Sequence, residues 1–125
     1  MLCYNAPNEG VSLMMIVEEP ISIDELRRLA QTFGQLVKAV VDVKQEVLVI
    51  DAELHADEEA FLLEAGSQQE DLWGINFYPD SPGEDFIEYD SMINLRPAFG
   101  NSSRGVDDPS IREKIQQIVL RKILQ

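Results

Sequence analysis

Two apolar runs rich in valine, Leu36 to Val43 and Glu46 to about Leu54, are separated by only two polar residues, Lys44 and Gln45. β-Branched residues at this density favour extended chain, and so short a polar break between them predicts a hairpin. Other segments read in the same way. Ser12 to Val17 is a short apolar strand ended by Glu18, Glu19 and Pro20, and Leu72 to Tyr78 is a strand with Trp73, Ile75 and Phe77 on one side. Phe86 to Tyr89 and Met92 to Leu95 read as two further strands or one bent strand.

Helices interrupt this pattern. Ser22 can accept a hydrogen bond from the amide of Glu25 while the Glu25 side chain reaches back, which predicts a helix start. Ile23, Leu26, Leu29, Ala30 and Phe33 follow at steps of three and four, and Gly34 offers a left-handed cap. A short helix is expected around Ala60 to Ala65 and ahead of Gly66. A last helix is expected to be capped by Asp108, with Pro109 first and Ile111, Ile115, Ile118, Val119 and Ile123 along one side. Between Pro97 and Asp108 the chain reads as an unstructured link. Short links between several strands, with helices irregularly interspersed, predict an α+β fold with a mostly antiparallel sheet packed against two or three helices. Residues 1–13 read as a flexible leader with little apolar surface, and residues 14–125 as a single domain.

The formal net charge of -13 comes entirely from residues 51–90, which hold 13 carboxylates and no Lys or Arg; the remainder balances 10 acids against 10 bases. An acidic protein of this kind repels phosphate backbones and anionic membrane, so no direct nucleic-acid binding and no membrane association are expected. A basic protein, a small ligand or a cation is the kind of partner the charge permits. The single cysteine, Cys3, cannot close an internal disulfide, and the chain has neither a signal-peptide pattern nor an apolar run of roughly 20 residues. A cytoplasmic location follows as an expectation.

The acidic segment also holds the only histidine and the only tryptophan. Asp51, Glu53 and His55 are spaced by two, so on a continuing strand they project from one face while Ile50, Ala52 and Leu54 turn to the core, with neighbours roughly 6.7 Å apart. Two carboxylates and an imidazole are a ligand set for a divalent cation, and Asp57 could add a fourth oxygen. The structural alternative is a charged, solvated edge strand, with Asp57, Glu58 and Glu59 in the favoured first turn of a helix. Trp73, Arg96, Asn101 and Arg104 form a second candidate set, for a ligand. Its alternative is internal pairing of the two arginines with the acidic segment and burial of Trp73 in the core.

The segments AELHADEEAFLLEAGSQQEDLWGINFYP (Ala52 to Pro79) and DSMINLRPAFGNSSRGV (Asp90 to Val106) resemble a family of small prokaryotic proteins of unknown function, chiefly through ELHADEE, QEDLWG and NSSRGV. The similarity runs from about Met15 to the last helix. It implies an α+β domain and brings no activity with it.

Three functional readings compete on this basis. The first is a non-catalytic binding or self-assembly module, expected to be a homo-oligomer. The second is a metal-dependent hydrolytic enzyme using Asp51, Glu53 and His55, with Arg96 or Arg104 stabilising negative charge. The third is an acidic mimic of DNA, which requires the carboxylates to share one surface.

Overall fold

Strand β4 (Val37–Asp42) is the axis of the molecule, because it is apolar on both faces: Val37, Ala39, Val40 and Val41 are all buried. The computed structural model describes residues 2–5, 13–32 and 34–125, and side chains from residue 14 onward. On one side β4 pairs with β5 (Val47–Ile50), then β2 (Leu13–Ile16) and β1 (Leu2–Asn5). On the other it pairs with β6 (Leu72–Phe77), then β7 (Ile87–Glu88). Every pairing in this six-stranded sheet is antiparallel. A small parallel pair, β3 (Ile21–Ser22) with β8 (Ile123–Leu124), ties the start of α1 (Ile23–Ala30) to the end of α3 (Pro109–Lys122). The fold is α+β, with α2 (His55–Glu64) as the third helix.

Alternation along the strands divides the core into two layers. Val37, Ala39 and Val41 of β4 and Trp73, Ile75 and Phe77 of β6 join Leu26 and Ala30 of α1 and Ile115, Ile118 and Val119 of α3. Val40, Val49 and Leu72 face the opposite way and meet Met14, Ala52 and Leu62 of α2. Helices α1 and α3 therefore cover one face of the sheet and α2 the other.

The helix ends follow the local chemistry. The Ser22 hydroxyl accepts from the Glu25 amide at 3.1 Å, and Asp108 caps α3 by accepting from the Ser110 amide with Pro109 in the first position. Phe33, expected on the apolar face of the first helix, lies outside the described residues. In the hairpin, the Asp42 carboxylate is completely buried and accepts from the amides of Lys44 and Gln45 and the hydroxyl of Ser67. The link is longer than two residues, with Glu46 in the left-handed region at φ 60.

Of the expected leader, residues 2–5 pair with β2, and residues 1 and 6–12 lie outside the described residues. Two expectations are corrected. Met92 to Leu95 is not a strand: Met92–Asn94 is a 3-10 turn capped by the Ser91 hydroxyl. The Pro97 to Asp108 link is ordered by its own hydrogen bonds, with a 3-10 turn at Pro97–Phe99, a left-handed Gly100 at φ 86, and a β-bridge between Arg96 and Asn101.

Candidate functional site

The expected strand through Asp51, Glu53 and His55 does not exist. β5 stops at Ile50 because Asp51 turns into the left-handed region at φ 71, and His55 is already the first residue of α2. The alternation that would have put all three on one face is lost, and Leu54, expected in the core, is exposed. Glu53 is exposed too, and its carbonyl accepts from Lys38 Nζ at 3.0 Å. Asp57 falls in the first turn of α2, where the helix dipole favours it. Among the described residues no group of three or more His, Cys, Asp or Glu side chains is arranged to hold a metal ion.

What forms there instead is a buried polar cluster that sequence spacing missed. Glu58 is 0% exposed; its Oε2 accepts from the Ala52 amide at 3.1 Å, and its Oε1 has no partner. Burial raises its pKa well above the ordinary value, the Ala52 amide opposes the rise and the neighbouring Asp51 adds to it. Asp51 is raised by burial to about 6. His55 shares a 2.8 Å hydrogen bond between Nε2 and the Ile75 carbonyl, and burial lowers its pKa, so the ring is neutral, donates from Nε2 and leaves Nδ1 as the acceptor. Beside it, Lys38, Asn76 and Glu88 stand in register across β4, β6 and β7, and the Asn76 amide donates to Glu88 at 2.9 Å. In the sequence Glu58 is one of three consecutive acids, and no local signal separates the buried one from its neighbours.

The second candidate set is split by the structure. Arg104 is exposed and pairs with Asp90 at 2.7 Å, the internal pairing offered as the alternative. Asn101 is buried and its amide is fully engaged: Nδ2 donates to the carbonyls of Asn94, Ser103 and Gly105, and Oδ1 accepts from the Asp107 amide. It organises the loop, which is why NSSRGV reads as a motif.

Trp73 and Arg96 do come together. Trp73 is delivered by β6 to the α3 side of the sheet, and Arg96 stacks over it with its guanidinium carbon 4.3 Å from the ring centroid. The guanidinium donates from Nη1 to the Gln69 carbonyl and from Nη2 to the Leu72 carbonyl. Among the described residues no carboxylate forms an ion pair with Arg96. Burial lowers its pKa, and Glu59 and Asp71 partly oppose that. Both side chains are more than nine-tenths buried, at 6% exposure for Trp73 and 9% for Arg96, and among the described residues Trp73 Nε1 and Arg96 Nε, both closed off from solvent, lack acceptors, as the buried Glu59 Oε2 lacks a donor. They line a cleft of about 230 Å³ with Glu70, Asp71, Phe99, Asn101 and Ile111. Phe99 is 68% exposed at its rim. Chemically this is a recess lined by a stacked guanidinium and indole, an apolar wall and two carboxylates.

A larger groove of about 590 Å³ lies between Phe86, Tyr89 and α3. Within it Gln116 donates to the Tyr89 hydroxyl and Arg112 to the Val106 carbonyl.

Residues 15–122 match the family described as a protein of unknown function, DUF5674. No curated protein matches the chain, and no solved structure does. No helix among the described residues is long and apolar enough to cross a membrane.

Proposed function

We propose that this chain, which belongs to the DUF5674 family, is a non-catalytic binding module whose ligand seat is the Trp73 and Arg96 cleft. The observation that carries the reading is a buried guanidinium, that of Arg96, stacked on Trp73 in the lining of a recess and without an ion-pair partner among the described residues. A buried charge without a partner is costly to the fold. A ligand that brings an anionic oxygen into the recess offsets that cost.

Trp73 is the only tryptophan, so its indole N–H is a single resonance in a proton-nitrogen correlation spectrum. A panel of small polar metabolites and fragments is expected to contain members that shift this resonance saturably. A panel in which Nε1 of Trp73 never moves, while the spectrum is that of a folded protein, removes the cleft as a binding site.

A further inference from the structure

Resting on the cleft reading, we propose that the occupant is a small zwitterion of amino-acid size, carrying a carboxylate, an ammonium group and an apolar side chain. Four features of the recess select these parts together. Among the described residues the buried guanidinium of Arg96, stacked on Trp73 in the lining, has no ion-pair partner. A carboxylate has two oxygens and accepts from two donors at once, and its hydrogen bonds to a guanidinium are charge-assisted. A simple anion meets an opposing field, because the chain carries a formal net charge of -13, and Glu70 and Asp71 line the same cleft while Glu59 lies close to Arg96. An ammonium group on the same molecule turns Glu70 and Asp71 from repulsive into attractive contacts. Phe99 and Ile111 supply apolar surface for a side chain.

Size sets the last limit. At about 230 Å³ the cleft is below the roughly 300 Å³ at which pockets for drug-sized ligands begin. A single amino acid matches it.

The test titrates the full chain with L-leucine, leucinamide, which lacks the carboxylate, and N-acetyl-leucine, which lacks the ammonium group, reading the Trp73 indole resonance. Free leucine is expected to bind at least tenfold more tightly than either capped form. Glu70→Gln, at an exposed position, is expected to weaken leucine several-fold and to tighten N-acetyl-leucine, whose lone carboxylate it relieves of repulsion. Arg96→Gln is expected to abolish binding of both; should it fail to fold, the Glu70 comparison still decides. Equal affinity for leucine and either capped form overturns the zwitterion and leaves the cleft standing. The same holds if leucine is silent while other panel members shift the indole. Silence of leucine and of the whole panel overturns both.

Discussion

Asn94 takes the place of a strand beside Gly74. Its side-chain Oδ1 accepts from the Gly74 amide at 2.8 Å and its Nδ2 donates to the Gly74 carbonyl at 2.9 Å, so one buried amide satisfies both backbone groups of a residue in β6. β7 pairs with β6 only at Asn76 and Phe77, and the Met92–Asn94 turn completes the edge further along. The approach requires glycine, since a Cβ at position 74 would lie 2.6 Å from Ser91 Cβ.

Asn94→Ala leaves two backbone groups of a central strand without partners and is expected to cost about 3 kcal/mol. Gly74→Ala forces Ser91 and its turn outward and is expected to cost about 1 to 3 kcal/mol. Urea denaturation measures both. Losses under about 0.5 kcal/mol would mean that the turn does not hold the sheet edge.

Glu58 and Asp51 both hold protons in the folded protein at pH values where the unfolded chain has released them. Their contribution to stability is complete below their ordinary values and is lost as pH rises, for Asp51 between its ordinary 3.8 and about 6, and for Glu58 from its ordinary 4.5 upward. His55 acts in the opposite sense: its lowered pKa favours the fold above its ordinary 6.5, and this contribution is lost as pH falls from that value down through the lowered one. Glu58→Gln keeps the shape of the neutral acid and removes its titration. The stability of this variant relative to the natural chain is expected to rise between pH 5 and pH 7 by up to about 1.4 kcal/mol per pH unit. A difference that does not change with pH would show that Glu58 is ionised in the fold.

Within NSSRGV, two polar residues have opposite weights. Asn101→Asp replaces the donor that three carbonyls share with an anion facing them, and a loss of about 3 kcal/mol or more is expected, with faster amide exchange across residues 101–107. Arg104→Ala breaks only the exposed pair with Asp90 and is expected to cost under about 1 kcal/mol. Reversal of that order in thermal unfolding would contradict the loop architecture.

Arg96→Lys keeps the charge but not the planar fork that reaches the Gln69 and Leu72 carbonyls while stacking on Trp73. It is expected to destabilise the chain by about 1 to 3 kcal/mol and to change the emission of the sole tryptophan. An unchanged emission spectrum would mean that the stack does not persist in solution.

Much of the scaffold is legible in the chain because its signals are local. The Ser22 and Asp108 caps, the hairpin around Lys44 and the alternation of Trp73, Ile75 and Phe77 depend on neighbours a few residues away. The site depends on contacts that sequence does not contain. One left-handed residue, Asp51, ended a strand and dispersed a ligand set whose spacing assumed continuity. Glu58 became a fully buried acid while Glu53 stayed in water, because α2 packs one face onto the sheet and Glu53 falls in the link before it at an exposed position. Trp73 and Arg96 were both suspects, and residue type alone could propose them. Only packing decided that they stack on each other over a recess while Asn101 is spent on its own loop and Arg104 on Asp90, since burial and hydrogen-bond satisfaction are set by segments distant along the chain.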